Sequence, residues 1–274
     1  MEDLSLSVLL PFVLALIATG AVAGILAGLL GVGGGIVVVP VLFWVFKALG
    51  FPPDLGMQVA VGSSLVIVAA TALSSAAAHH KRGSVDMVLV RRWAPWMVLG
   101  AFVGGTLAGL VSGALLLVVF GSVALLVAWN LARPNSKVIA AALPERKGVQ
   151  PAMAGGVGLV SAMMGIGSGT LGVPLMTAFS VPVHRAVGTA AALGLMIGIP
   201  GALAMMVFGF GVPGRPPLSL GYVNIIVLGL ILPLSVLCAP LGTRIAHALS
   251  PVWIKRAFAV FLCITSVRML MSAF

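Results

Sequence analysis

Gly31-Val-Gly-Gly-Gly-Ile-Val-Val-Val-Pro40 and Gly165-Ile-Gly-Ser-Gly-Thr-Leu-Gly-Val-Pro174 decide the reading of this chain. Laid over one another at an offset of 134, they match glycine to glycine at three positions and end on the same proline. Each lies in an uncharged window too long for one membrane-crossing helix: Leu4–Phe46, 43 residues, and Gly148–Val183, 36 residues. Clustered glycines destabilise a helix interior and allow backbone turns that other residues resist. Each window therefore predicts a helical hairpin or broken helix bent at its glycines, with a new helix starting at Ile36 and at Thr170.

Outward from these motifs, residues 57–79, 93–111, 114–132, 187–209 and 220–243 contain no Asp, Glu, Lys or Arg. Each reaches the roughly 20 residues that a helix needs to cross hydrocarbon. Residues 252–272 make a sixth span. Its charges, Lys255 and Arg256 near one end and Arg268 near the other, stand where long basic side chains snorkel. Hydrophobic residues form 61% of the chain and charged ones 7%, against about 25% charged in a soluble domain. Lipid is the solvent over most of the surface.

Further matches extend the repeat. Val61-Gly62-Ser63 corresponds to Val187-Gly188-Thr189, and Gly105-Thr106 to Gly242-Thr243. The halves are 1–133 and 148–274, joined by a polar cytoplasmic linker, 134–147. The basic residues set the orientation. With the 80–92 loop in the cytoplasm and each long window returning to its own side, twelve of the 15 Lys and Arg lie inside, a positive-inside bias. Lys47, Arg215 and Arg268 fall outside. The expected fold is thus an all-α integral membrane protein of two inverted repeats, each a broken-helix hairpin plus three transmembrane helices. Cysteine labelling of intact cells tests this: an impermeant reagent should reach residue 2 and not residue 140, and the reverse pattern contradicts the layout.

Broken helices in inverted repeats place their ends at a central substrate site. A helix N-terminus offers unpaired N–H groups and the positive end of its dipole, and glycines let an anion approach that backbone. The candidate anion site is therefore Gly33, Gly34, Gly35, Gly167, Ser168, Gly169 and Thr170, with hydroxyls from Ser63, Ser64 and Thr189. Isolated glycines such as Gly104 and Gly121 read as helix-packing positions, and a side chain at Gly121 is expected to do little.

Other chemistries are disfavoured. Gly167-Ser-Gly-Thr-Leu-Gly172 fits G-x-G-x-x-G, but no carboxylate follows Glu145, and the dinucleotide motif wants one about 20 residues on. The five carboxylates, Glu2, Asp3, Asp54, Asp86 and Glu145, all fall in expected loops, whereas cation carriers keep them inside the bundle. No catalytic residue, metal site or cofactor is expected, and neither is nucleic acid; the basic residues sit between apolar runs. Cys238 and Cys263 suggest no disulfide framework. His79 and His80, beside Lys81 and Arg82, read as interfacial.

At Gly31–Pro40 with Val61-Gly62-Ser63-Ser64, and Gly165–Pro174 with Val187-Gly188-Thr189, the chain resembles the TauE/SafE family of bacterial membrane transporters. The likeness extends over nearly the whole length; Ser168 replaces the middle glycine of the first cluster. It implies export of sulfite or small organosulfonates across the inner membrane. The expected partners are that anion and the bilayer. A passive anion channel and an uptake carrier for another sulfur-containing anion stay open, as do coupling ion and oligomeric state.

Overall fold

The computed structural model describes residues 6–132, 139–144, 146, 148–248 and 251–274. Among them are ten helices: α1 Leu6–Leu30, α2 Gly35–Ala48, α3 Pro53–His80, α4 Met87–Leu110, α5 Gly113–Ala132, α6 Val149–Met164, α7 Gly169–Ala178, α8 Val183–Phe208, α9 Ile225–Ala248 and α10 Pro251–Met271. A two-stranded hairpin, β1 Ser219–Leu220 and β2 Val223–Asn224, precedes α9. Six helices are long and apolar enough to cross a membrane: residues 10–30, 53–80, 87–110, 113–130, 183–208 and 225–245.

The two glycine motifs break the chain as their composition requires. α1 stops where Gly31 adopts a φ of 68°. α6 stops at Gly165, φ 69°, whose N–H donates to Ala162 O while Ile166 N donates to Ser161 O. That pair of bonds is a Schellman motif, which needs a left-handed residue and hence favours glycine. The helices beyond the breaks are short. α2 has 14 residues and α7 has 10, about 21 and 15 Å at 1.5 Å per residue, so neither spans a hydrocarbon layer of about 30 Å.

Small residues fix the packing. Gly20, Gly24 and Gly28 of α1 lie against Ile231, Ser235 and Ala239 of α9, so these helices run parallel. Gly100 and Gly104 of α4 meet Gly155 and Leu159 of α6 in the same sense. By contrast α3 and α8 are antiparallel: Leu65 lies beside Gly201, and Ala72 beside Gly194. α5 and α10 also run antiparallel, with Gly121 beside Leu270 and Leu125–Ala132 facing Ala259–Cys263. Exchanging α1–α5 for α6–α10 turns the α1/α9 pair into the α6/α4 pair and returns the other two pairs to themselves. Backbone approaches of this kind are how helices associate when lipid removes the hydrophobic drive between them.

Charge separates by end. Arg82 Nη1 donates to Thr243 O at 2.8 Å, and Arg185 pairs with Asp86 at 3.2 Å, gathering the α3, α4, α8 and α9 termini. At the other end, Leu55 packs on Gly214, next to Arg215. Arg268 stands 6.0 Å from the Trp44 ring, and Phe46, next to Lys47, meets Gly56.

The first long window is a broken helix with unequal arms: α1 has 25 residues, about 37 Å, and only its return arm, α2, is short. Two expectations change. Asp54 sits in the first turn of α3, not in a loop, and its Oδ1 accepts from Ala114 N at the start of α5. Gly121 is not a neutral position, because a Cβ there comes within 2.6 Å of the Leu270 side chain. His79, at the end of α3, is 2% exposed and bonds across to α1, while His80 is exposed. Glu2, Asp3 and Glu145 lie outside the described residues.

Candidate anion site at the crossed glycine breaks

The two breaks meet in the middle of the bundle. Gly167 N donates to Val32 O at 3.1 Å. Gly33 lies against Gly167, Gly35 against Gly165 and Ile166, and Gly169 against Gly31 and Val32. The segments thus pass each other antiparallel, backbone on backbone, about a centre at Gly33 and Gly167. A Cβ at Gly167 would stand 2.6 Å from Val32 O, so hydrogen is the only side chain that fits without movement. Gly33 and Gly34, at φ 71° and 75°, also need glycine for their backbone conformation.

The contacts flanking the crossing are matched between halves. Gly31 packs on the Val187 carbonyl and Gly165 on the backbone of Val61. Gly62 meets Tyr222, and Gly188 meets Ser84. Ser63 Oγ accepts the Asn224 N–H at 2.9 Å, and Thr189 Oγ1 accepts the Asp86 N–H at 3.0 Å. Asn224 and Asp86 in turn cap α9 and α4, accepting from Val227 N and Leu89 N. Ser63 and Thr189 are therefore engaged with the capping turns and are not brought onto the crossing.

The other candidate residues are brought together there. Ser64 Oγ donates to Gly165 O at 2.7 Å and Ser168 Oγ to Ala190 O, so both brace the second break. α2 and α7 start at the crossing, and their N-cap residues Gly34 and Ser168 form no side-chain cap bond. Thr170, in the first turn of α7, is 3% exposed, and its hydroxyl has no partner. Ser161, fully buried and the residue whose carbonyl opens the Schellman turn, also has an unpartnered hydroxyl. Many buried hydroxyls in this bundle find carbonyls, as in Thr71, Ser235, Thr243, Thr265 and Ser266, while Thr106 of α4 is unpartnered like Ser161 and Thr170. An unsatisfied buried polar group costs about 1–3 kcal/mol. Sequence reasoning passed over Ser161, because a lone serine in an apolar helix ordinarily bonds its own backbone.

Asp54 and Asp86, the carboxylates among the described residues, both stand at bundle ends. Asp86→Asn keeps the capping acceptor, since Asn caps as well as Asp, and loses the pair to Arg185, which is 57% exposed. Such pairs contribute about 0–1 kcal/mol. The variant should fold and transport at near-parental rate in vesicles; complete loss of transport in a folded Asp86→Asn protein overturns this.

Long apolar helices, paired broken helices and uncapped helix starts meeting at mid-bundle define a multi-pass membrane transporter. The chain belongs to the family described as Sulfite exporter TauE/SafE, which it matches over residues 16–269. A "Probable membrane transporter protein" of Haemophilus influenzae is 33% identical to it, covering 94% of this chain and 98% of that protein. One of the same description from Methanocaldococcus jannaschii is 28% identical over 93% and 94% of the two chains. In Bacillus subtilis the probable membrane transporter protein YunE is 30% identical over 71% and 78%. No solved structure gives a significant match.

Proposed function

We propose that this protein is a secondary transporter that exports sulfite or small organosulfonate anions across the bacterial inner membrane, from a site at the crossed breaks. The observation that carries this reading is the meeting of two helix starts without side-chain caps at the crossing, with buried, unpartnered hydroxyls on Thr170 in the first turn of α7 and on Ser161 in the last turn of α6. Helix N-termini attract anions through their free N–H groups and dipole, and Ser161 and Thr170 add donors for oxyanion oxygens. In the arrangement described the breaks touch, so the anion is admitted when they part.

Helix directions support an inverted repeat of 1–133 and 148–274 about the linker 134–147. Counted from its own start, each half runs broken helix, short return, then three long helices, and the parallel α1/α9 and α4/α6 pairs are what opposite orientation of the halves produces. Alternating access then consists of one half moving against the other about the crossing. The family supports sulfite or a sulfonate as substrate. Purified protein in vesicles should release sulfite or an organosulfonate faster than sulfate or phosphate. Equal rates for all four, or none above empty vesicles, contradict the substrate assignment.

A further inference from the structure

The first break is held by a row of polar side chains with no counterpart in the second half. Thr71, Ser75 and His79 recur every fourth residue and so share one face of α3. Thr71 Oγ1 lies 2.9 Å from Gly33 O and 2.7 Å from Ile67 O of its own helix, which share its one hydrogen; Ser75 Oγ donates to Ala27 O at 3.3 Å, and His79 Nε2 contacts Gly28 O at 3.0 Å. Ile197, Gly201 and Met205 occupy the corresponding positions of α8, and none of their side chains can donate. The second break is braced instead by Ser64 of α3 and by its own Ser168, not by a row along α8.

His79 is the one member that can change charge. Gly28 O only accepts, so Nε2 carries a hydrogen and the ring is a donor. Gly28 belongs to the last turn of α1, where terminal carbonyls carry the negative end of the helix dipole. It is wedged against Ala239 and Thr243 of α9, three residues before the break at Gly31. We propose that His79 is a proton-binding site that couples pH to the position of the first break: the imidazolium holds Gly28 more tightly than the neutral ring, which still donates through Nε2, so loss of the second proton loosens α1. A charge-assisted hydrogen bond is roughly twice as strong as a neutral one, which sets the sign. α1 carries no titratable residue between Leu6 and Leu30. The groups on neighbouring elements are His80, Lys81 and Arg82 after His79, Asp86 paired with Arg185, His184 on α8 and Arg244 on α9. Of these, Arg82 reaches towards the Gly28 contact, its Nη1 on the carbonyl of Thr243, the residue against which Gly28 packs.

The proposal extends the transport reading but is tested apart from it. Hydrogen exchange of residues 24–34, corrected for the intrinsic pH dependence, should show about fivefold greater protection at about pH 5.5 than at about pH 8. His79→Gln keeps a neutral donor and removes the titration, so its protection should not change with pH. Protection in the parent that is independent of pH overturns the proposal, whether or not the variant folds; so does an unchanged pH dependence in a folded His79→Gln protein. In vesicles, methanesulfonate keeps its charge across this range, so any pH profile belongs to the protein. Its transport should rise with pH in the parent and stay flat in His79→Gln. If the parent moves no sulfonate or sulfite, the substrate reading fails while the exchange result still decides the role of His79.

Discussion

Replacing Thr170 by Val leaves the protein as stable as its parent, or more so, and weakens anion binding by roughly ten- to hundredfold. The two effects have one origin. The Thr170 hydroxyl is buried without a partner, so the resting protein loses nothing when it is removed, and the desolvation cost of about 1–3 kcal/mol disappears. A hydrogen bond from that hydroxyl to a charged ligand contributes about 1.5–3 kcal/mol, which is the stated loss in affinity at about 1.4 kcal/mol per factor of ten. Ser161→Ala should behave in the same way. Melting temperature in detergent and isotopic anion binding measured on the same preparations check both halves. Unchanged affinity in either variant removes that hydroxyl from the site; a fall in stability means that it has a structural partner.

The second large effect is expected at Gly167. A methyl group there meets Val32 O at 2.6 Å and Gly33 Cα at 3.3 Å, backbone atoms that cannot rotate aside. Overpacking costs typically 1–3 kcal/mol, and here it also forces apart the Gly167–Val32 bond. Gly167→Ala should lower the melting temperature and abolish transport. Gly156→Ala is the matched control: its Cβ meets nothing within 4 Å in the middle of α6, and a helical Gly→Ala change gains about 0.5–1 kcal/mol. Equal stability of the two variants would show that the crossing is not a close-packed element.

The membrane class and the two breaks were legible because both are written in composition. Uncharged windows mark the spans, and Gly31–Pro40 and Gly165–Pro174 carry the same order of residues. The contact between the breaks was not legible, since a backbone-to-backbone approach leaves only missing side chains as its trace. Ser63 and Thr189 occupy matched places in the two halves, yet their partners Asn224 and Asp86 lie far along the chain. An Asp or Asn ahead of an apolar run is an N-cap signal, and Asn224 before Ile225 offered it, hidden inside an uncharged window. The contact of His79 with α1 was not legible for another reason. The charges that follow it mark a helix end and say nothing of which face packs inward, and the face it shares with Thr71 and Ser75 turns onto α1 and the first break.

Counterflow tests the central claim most directly. Vesicles containing the purified protein are loaded with unlabelled sulfite and diluted into a trace of labelled sulfite. Alternating access from a site at the crossing predicts that label accumulates transiently above its equilibrium level in the parent and in Gly156→Ala, and that the overshoot is lost in Thr170→Val at the same sulfite concentration. Equilibration of label without an overshoot in the parent, or an undiminished overshoot in Thr170→Val, contradicts the account.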